Sequence, residues 1–327
     1  MPHPDPFRSP LRFRPVYKDY IWGGRRLADA FGRELPEGRC AESWEVSDRP
    51  EGMSVVEEGP AAGRTLRELI EQNATDLLGT AAAGSSRFPL LVKLIDARER
   101  LSLQVHPDDL SAPRLGGEPK TEMWYALADG PMRVLCGLRP GVSRAAFSAA
   151  LERGAPEPLL REIFLRRGEA VFVPGGRLHA IDGGGLLLEI QQNSNTIYRV
   201  WDWGRVGADG KPRPLHVEQA LEAIDWADGT DPRLTPRPLG RGPGFREEEI
   251  ARTPFFVLER LVLEDGEVAA DTAGRSFHLL FAASGTPRLR WRGGEEALPF
   301  GRTTLLPAAL GAYTLAGRGE ILRVRLP

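Results

Sequence analysis

The apolar runs of this chain are short, and many of them end at a glycine or a proline. AVFV at 170–173 runs into Pro174, and TTLL at 303–306 runs into Pro307. Apolar runs of four to eight residues bounded by such residues are typical of strands rather than of long helices. Because the chain has 37 glycines and 28 prolines in 327 residues, this punctuation recurs along its length. The sequence therefore predicts a mainly β fold with many short strands.

A few segments have helical patterns instead. Thr65 and Glu68 form a capping-box pattern at the start of TLRELIEQNATDLLG, which predicts a helix there. Ser143 is expected to cap a second helix, and PEPLLREIFL at 156–165 is expected to form a third. These helices do not alternate regularly with strands, as they would around a parallel sheet. We therefore expect a small helical insertion at about 143–165 within a β unit.

The second half of the chain suggests two β units. A segment rich in proline, glycine and arginine, 228–245, is typical of a linker or a long surface connection. GEAVFVP at 168–174 and GRTTLLP at 301–307 both read Gly, five residues, Pro, which favours a duplicated β-barrel unit. We expect the first unit to carry the chemistry and the second to lack a metal. The predicted domains are residues 1–240 and 241–327.

Polar and apolar residues alternate in the stretch 101–124, in LSLQVH and again in KTEMW. Because successive strand side chains point to opposite faces, the polar residues of each segment share one face. If both strands line one cavity, an imidazole, a carboxylate and an amide oxygen meet beside an ammonium group. Such a set suits a divalent metal like zinc, although a half-exposed strand that carries one histidine has the same pattern. The residues concerned are Ser102, Gln104, His106, Lys120, Glu122 and Trp124.

Charge and cysteine content exclude several classes of protein. The net charge of −2 and the pI near 6.3 provide no basic surface for nucleic acid or for anionic lipid. No window approaches the roughly 18 apolar residues of a membrane span, and the N-terminal residues lack the apolar run of a signal peptide. Cys40 and Cys136 form no CxxC pair. We therefore expect a cytoplasmic protein that binds neither nucleic acid nor membranes.

A second histidine motif follows the stretch 101–124. Residues 168–179 read Gly, five residues, Pro, one residue, Gly, two residues, His, so that a strand, a tight turn and a strand beginning at His179 are expected. This pattern resembles the second motif of the cupin (jelly-roll) superfamily, where such a histidine is a metal ligand. The first cupin motif is partly met, because Gln104-x-His106 stands where many cupins have His-x-His. Glu122 also lies further downstream than is usual.

Four segments together, QVHPDD, KTEMW, VPGGRLHAI and EIQQNSNTIYRVWDWGR, resemble the type I mannose-6-phosphate isomerases. The resemblance covers nearly the whole chain, and the length is similar to that of the short bacterial form. It implies two jelly-roll units, one zinc ion per chain, and a sugar phosphate as the small-molecule partner. The implied reaction interconverts mannose 6-phosphate and fructose 6-phosphate through a cis-enediol. A monomer or a homodimer is expected.

Matching positions carry the functional residues that the resemblance implies. The four zinc ligands fall on Gln104, His106, Glu122 and His179. The catalytic residues are Arg199, Glu189 and Lys120, and the expected substrate-binding residues are Ser102, Lys120 and Arg199. The identity of the general base is left open between Glu189, Lys120 and a zinc-bound water.

Two other functions fit a cupin scaffold. His106, Glu122 and His179 also match the two-histidine, one-carboxylate set of a non-haem iron oxygenase, although Gln104 would then close a position that oxygen needs. A non-catalytic sugar-phosphate-binding cupin is the other alternative, since one fold hosts many functions.

Several polar and aromatic residues are expected to be structural. Lys93 lies in the apolar strand FPLLVKLIDA, where snorkelling of its ammonium group is expected. Trp201, Asp202 and Trp203 are expected to support Arg199 rather than to take part in the chemistry. Five further aromatic and histidine residues are predicted to pack in the core or to cap helices: Trp22, Trp44, Trp124, His216 and His278.

Overall fold

The computed structural model describes residues 5–207 and 210–327 and contains 20 strands and five α-helices within them. The predicted mainly β fold is confirmed. The helices are α1 Arg26–Phe31, α2 Leu66–Leu78, α3 Ala112–Leu115, α4 Arg144–Glu152 and α5 Val217–Ala223. The strands are β1 Leu11–Arg12, β2 Val16–Lys18, β3 Glu42–Val46, β4 Leu90–Ala97, β5 Leu103–Val105, β6 Glu122–Ala126, β7 Met132–Leu138, β8 Leu160–Leu165, β9 Ala170–Val173, β10 His179–Ile181, β11 Gly185–Gln192, β12 Tyr198–Trp201, β13 Arg237–Gly242, β14 Phe245–Arg252, β15 Val257–Asp271, β16 His278–Gly285, β17 Arg288–Trp291, β18 Gly294–Ala297, β19 Thr303–Leu306 and β20 Ala312–Arg325.

The chain divides into two compact units. One, here called the central unit, consists of residues 17–43 and 92–234. The other, here called the terminal unit, consists of the described residues up to Val16 together with 44–91 and 235–327. Whether residues 1–240 and 241–327 fold as separate domains is a different question, and that domain boundary stays a prediction. No helix in the described part of the chain is long and apolar enough to cross a bilayer.

The terminal unit is built on one antiparallel sheet of nine strands. Its main order is β1-β19-β16-β20-β15-β14-β13, and β17 pairs with both β18 and β20. The long strands β15 and β20 lie side by side over most of their length. Alternate residues of these strands, such as Leu261, Leu263 and Ile321, form the apolar core with residues of β16 and β17. As the sequence predicts, Thr65 and Glu68 cap α2 with a complete capping box.

The central unit is built on two sheets. One has the order β12-β5-β10-β7-β8, and the other has the order β2-β3-β4-β11-β6-β9. Ile95, Trp124 and Leu187 from the six-stranded sheet share one buried cluster with Val134 and Ile181 from the five-stranded sheet. This face-to-face packing of antiparallel sheets is the jelly-roll architecture that the sequence predicts.

Strand β5 explains why polar side chains point into the unit. Its apolar residues Leu103 and Val105 pack in a second cluster with Phe147 of α4 and Ala220 of α5. Because the helices cover that face, the alternating residue Gln104 points to the other side, between the sheets. The second face of β5, where Gln104 is half-buried, thus points into the unit and not to its outer surface, so β5 is not a half-exposed surface strand.

Two secondary-structure predictions are wrong. Residues 156–165 do not form a helix, because Leu160–Leu165 is strand β8 and pairs with β7. An isolated helix as short as 156–165 is only marginally stable, whereas pairing with β7 gives Leu160–Leu165 backbone hydrogen bonds to a neighbouring strand. The helical insertion is therefore α4 and one short 3₁₀ turn. The linker prediction for 228–245 also fails in part, because Arg237–Gly242 is strand β13 and pairs with β14.

Candidate metal centre and active site

Three predicted site residues lie in one row across the five-stranded sheet. Arg199 of β12 is opposite Gln104 of β5, and Gln104 is in turn opposite His179 of β10. Directly opposed residues of antiparallel strands share a face of the sheet. The pairing therefore places an arginine, an amide and an imidazole side by side, although 95 positions separate Gln104 from Arg199 in the sequence.

Two glycines in the turn before β10 bring His179 to this row. Gly176 has φ +89°, a conformation that favours glycine, and its N–H donates to the His106 carbonyl over 2.8 Å. A Cβ at Gly175 would lie 2.6 Å from the Cα of Asp108. Gly176 of the cupin-like motif and the neighbouring Gly175 are thus needed for the close approach of this turn to the segment after β5.

His106, Glu122 and His179 form a buried cluster whose ligand atoms all lie within 4.8 Å of one another. Nδ1 of His106 is 2.8 Å from the carbonyl oxygen of Thr196, and Nδ1 of His179 is 2.8 Å from that of Arg177. A carbonyl oxygen only accepts, so each Nδ1 carries the proton and each Nε2 keeps its lone pair. Each Nε2 is 3.5 Å from a Glu122 oxygen. Both imidazoles are thus oriented as ligands.

Burial and charge set the protonation of this cluster. Burial lowers the pKa of His106 to about 3, and the positive charge of Lys120 acts in the same direction. Burial also lowers the pKa of His179. For Glu122, burial raises the pKa, but Lys120 and the two histidines lower it by more, so that it lies well below its usual range. At neutral pH the cluster is two neutral imidazoles and one carboxylate, which is the protonation state that a metal requires.

The cluster also fits a cation by its unsatisfied oxygen. Glu122 is fully buried, and its Oε1 accepts no hydrogen bond from residues 5–207 or 210–327. A buried carboxylate oxygen without a donor is costly unless a positive charge meets it. The Lys120 ammonium approaches the other oxygen to 2.6 Å and lies 3.0 Å from Nε2 of His106. These donor atoms suit a divalent cation that accepts nitrogen and oxygen ligands.

Gln104 lies at the edge of the cluster. Its Nε2 is placed 3.3 Å from Nε2 of His179, and its Oε1 is 3.3 Å from the Ser102 hydroxyl, which donates to it. Rotating the amide by 180° would exchange these two positions and direct the oxygen to the cluster. Gln104 therefore reaches the position that the resemblance implies for a fourth ligand.

A cavity of about 320 Å³ opens beside the cluster. Six of the eight predicted site residues line it, and the other two, His106 and Glu122, contact residues that do. The structure thus brings all eight together. The charged and polar residues that line the cavity are Glu42, Lys93, Ser102, Gln104, Lys120, His179, Glu189, Asn195, Arg199 and Arg213.

Glu189 lies in the cavity wall within a buried charge network. Its Oε2 accepts from the indole N–H of Trp124 over 3.0 Å, and its Oε1 is 3.1 Å from the Lys93 ammonium. Burial raises the pKa of Glu189, and the negative charge of Glu122 raises it further, against the effect of Lys93. Burial would lower the pKa of Lys93, but Glu189 and Glu42 outweigh it and raise that pKa. Lys93 therefore remains an ammonium ion.

Sequence reasoning missed part of this wall. Lys93 does not snorkel, because it is 5% exposed and also lies 3.6 Å from Glu42. Its one sequence signal was an ammonium group inside an apolar strand, and the signal of Glu42 was an acid within an extended segment. Arg213 had no local signal. All three lie at the cavity because of strand pairing and loop placement, which no local pattern records.

Comparisons with known proteins agree with this geometry. A family model described as "Phosphomannose isomerase type I, catalytic domain" matches residues 11–140. The mannose-6-phosphate isomerase ManA of Bacillus subtilis is 35% identical over 322 residues, which cover 96% of this chain and 98% of that protein.

Solved structures of mannose 6-phosphate isomerases are also similar to this chain. The crystal structure of the mannose 6-phosphate isomerase from Bacillus subtilis superposes with a TM-score of 0.87 at 32% identity, covering 97% of this chain and 99% of that one. A structure of mannose 6-phosphate isomerase bound with zinc and yttrium superposes with a TM-score of 0.75 at 20% identity, covering 97% and 99%. This second likeness shows the fold alone.

Proposed function

Because the chain belongs to the type I mannose-6-phosphate isomerase family, we propose that it interconverts mannose 6-phosphate and fructose 6-phosphate with one zinc ion. The proposed ligands are Gln104, His106, Glu122 and His179. The observation that carries this proposal is the meeting of the Glu122 carboxylate with two imidazole lone pairs beside a cavity that also holds Glu189. An aldose–ketose isomerase needs such a charge-stabilising centre next to a base.

Two observations support zinc as the metal. Neutral imidazole nitrogen and carboxylate or amide oxygen are ligands that zinc accepts. A protein of the same fold and the same named activity has been solved with zinc bound. When bound, the ion supplies Lewis-acid stabilisation of the negative charge that develops on the sugar oxygens.

We assign the proton transfer between carbons to Glu189. Its carboxylate removes the proton from C2 of the open-chain aldose, which leaves a cis-enediol, and returns that proton to C1 to give the ketose. A second proton passes from the oxygen on C2 to the oxygen on C1. Burial raises the pKa of Glu189 toward the working range of a general base. The contacts with Lys93 and Trp124 hold the carboxylate in one orientation.

Two cations complete the proposed machinery. Lys120 lies between Glu122 and His106, where its ammonium group can stabilise charge on the oxygens of the substrate. Arg199 remains protonated at neutral pH and provides a fixed positive charge at the cavity wall. Ser102, which donates to Gln104, also lines the wall and can bind a sugar hydroxyl. Charged sugar phosphates do not cross bilayers, which supports a cytoplasmic location.

A coupled assay tests this proposal. Fructose 6-phosphate formed from mannose 6-phosphate is measured with the protein as purified, after chelation, and after zinc is restored. We expect activity to fall to background with chelator and to return with about one equivalent of zinc. Turnover that survives complete chelation would refute the zinc requirement.

The alternatives have different outcomes in the same experiment. The iron oxygenase would consume oxygen with iron and form no fructose 6-phosphate. The non-catalytic cupin would bind the sugar phosphate without turnover. Neither is favoured, because the relatives named above are isomerases over nearly the whole length of the chain.

A further inference from the structure

Two guanidinium groups gather around a single carboxylate directly after β12. Asp202 is 6% exposed and accepts from Nη2 of Arg205 over 2.6 Å. It also accepts from Nε of Arg213 over 2.8 Å and from Nη2 of Arg213 over 2.5 Å. Two parallel bonds to one carboxylate fix the plane of a guanidinium group. Asp202 therefore determines the direction in which Arg213 points.

The arginines around Asp202 carry more positive charge than this one carboxylate can neutralise. Arg199, Arg205 and Arg213 contribute three positive charges against one negative charge on Asp202, which leaves two in excess. Burial lowers the pKa of Arg199, and repulsion from Arg213 lowers it further. An excess of two matches the charge of a phosphate monoester near neutral pH, which is about −1.5 to −2.

Unused donors belong to the two arginines that line the active-site cavity. Nε of Arg199 is buried and has no hydrogen-bond partner among the described residues. Arg213 uses Nε and Nη2 for Asp202, and within the described part of the chain its Nη1 has no such partner. Both side chains line the cavity that contains Glu189 and His179. Arg213 therefore brings to the cavity wall a guanidinium N–H group that Asp202 does not use.

The segment that carries Asp202 is firmly anchored. Trp203 has φ +60°, which a bulky residue adopts only where its surroundings enforce it. Its indole N–H donates to the Leu101 carbonyl over 2.7 Å, and the Arg100 guanidinium stacks 4.1 Å from the ring centroid. Arg205 donates to the carbonyl of Arg100. These contacts fix the backbone of Asp202 beside the strand that carries Gln104.

We propose that Arg213, together with Arg199, binds the phosphate group of the sugar substrate, and that Asp202 is the positioning residue that aims Arg213 into the cavity. This inference rests on the proposed function for the identity of the substrate. It adds two residues that the family resemblance did not assign. It also replaces the prediction that Asp202 only supports the fold around Arg199.

The test uses four variants of the full chain, each loaded with zinc: the three described next and Arg213→Lys. Arg213→Met removes the charge, Asp202→Asn keeps the shape but weakens the clamp, and Arg161→Met is the matched control. Arg161 donates to the backbone carbonyls of Gly229 and Thr230 and lies outside the cavity lining. KM and kcat for mannose 6-phosphate are measured, with the inhibition constant of inorganic phosphate at fixed ionic strength.

We expect Arg213→Met to raise KM and the phosphate inhibition constant by about 10- to 100-fold, as for loss of a charge-assisted bidentate contact, with kcat nearly retained. Asp202→Asn is expected to raise both by roughly 3- to 10-fold, because the guanidinium group remains but is less well oriented. Arg213→Lys recovers part of the loss, since a lysine keeps the charge without the fork. Arg161→Met keeps wild-type values.

Three results overturn parts of this inference. Wild-type KM and phosphate inhibition in Arg213→Met refute the phosphate site. In Asp202→Asn, a lower melting temperature and kcat with an unchanged KM would show a structural role instead. If the wild-type protein does not turn over mannose 6-phosphate, the proposed function fails. Calorimetric titration of inorganic phosphate into wild type and Arg213→Met then tests the site by itself, so that the two failures are distinguished.

Discussion

The two units bury charged side chains in the same kind of sheet but neutralise them differently. In the terminal unit, Glu259 accepts from Arg323 and from Arg325, each over 2.7 Å. His278 in the same unit shares a 2.7 Å hydrogen bond with the Tyr313 hydroxyl. In the central unit, by contrast, Glu122 keeps one oxygen without a donor among the described residues, and two imidazole lone pairs face it.

Strand periodicity explains how both clusters arise. Glu259 lies on the same face of β15 as the core residues Leu261 and Leu263, so its charge must be met inside the unit. Paired strand β20 supplies Arg323 directly opposite Glu259. In the central unit, Lys120 approaches only one oxygen of Glu122, and the other oxygen has no donor among the described residues. The carboxylate of Glu259 is therefore fully paired within the protein, whereas that of Glu122 is available to bind a cation.

The largest expected effect comes from Glu122→Gln, which removes the charge of the carboxylate that faces the two imidazole lone pairs. We expect loss of bound metal and a fall in kcat/KM of about 1,000-fold or more, since a metal supplies several kcal/mol of charge stabilisation. His106→Ala should have the same effect. Metal content by elemental analysis and turnover are measured together. Near-normal turnover in a metal-free variant would contradict the view that Glu122, unlike Glu259, serves to bind a cation.

Glu259→Gln makes the corresponding change in the terminal unit. Buried Arg323 and half-buried Arg325 lose their shared carboxylate, so the free energy of unfolding should fall by about 3 kcal/mol, while kcat of the folded protein is retained. Urea denaturation measures the change. Glu264→Gln is the control, because its side chain is 71% exposed and pairs with Arg246 at 3.5 Å. Equal decreases in the free energy of unfolding for the two substitutions would show that the buried network stabilises the protein no more than an exposed ion pair does.

A pH titration of stability isolates His278. Burial lowers its pKa to about 3, with Arg323 adding to the effect, whereas an unfolded histidine titrates near 6.5. Below pH 6.5 the unfolded chain therefore takes up a proton that the native state does not. Stability from this group is present above pH 6.5 and is lost as the pH falls toward 3, by about 1.4 kcal/mol per pH unit.

The measurement compares wild type with His278→Gln, which can still hydrogen-bond Tyr313. Unfolding free energies from urea denaturation between pH 7 and pH 4.5 should decline less steeply in the variant, by one proton. Parallel pH dependences would mean that His278 does not stay neutral in the folded terminal unit.

The smallest expected effect concerns local structure in the terminal unit. The Thr65 hydroxyl accepts from the backbone N–H of Glu68 over 3.2 Å, and the Glu68 carboxylate accepts from the backbone N–H of Thr65 over 2.7 Å. Thr65→Ala should lower the free energy of unfolding by about 1 kcal/mol, and Thr65→Ser should retain it. Thermal unfolding checks this, and kcat/KM should not change. A loss of activity would indicate coupling between α2 and the active site.

Much of the fold could be predicted because the relevant forces act locally. Gly and Pro end strands through their backbone restrictions, and the caps of α2 and α4 lie within three residues of the groups that they satisfy. Prediction failed for Leu160–Leu165 and Arg237–Gly242, where a partner strand supplies the backbone hydrogen bonds. A partner strand cannot be identified from the local pattern of either segment.

The candidate site divides in the same way. The alternation of polar and apolar residues in LSLQVH and KTEMW was sufficient to predict that the polar side chains of the site share a strand face. The cupin-like turn was sufficient to predict that His179 belongs to the same site. Glu42 and Arg213 were missed as cavity residues, since each lies far along the chain from the metal cluster, and Lys93 was missed because its strand is otherwise apolar. The proposed positioning role of Asp202 was also missed, because its hydrogen bonds to Arg213 span a loop that no local pattern describes.

The sequence by itself determined which side chains share a strand face, because alternation follows from backbone geometry alone. It also determined where turns and helix caps occur. Only the tertiary structure decided that β5 lies between β10 and β12, which brings Gln104, His179 and Arg199 into one row. It likewise decided that Arg323 lies opposite Glu259, whereas Glu122 meets Lys120 at one oxygen and keeps the other without a donor among the described residues. Strand pairing joins distant segments, so which buried charges are neutralised depends on neighbours that local patterns do not specify.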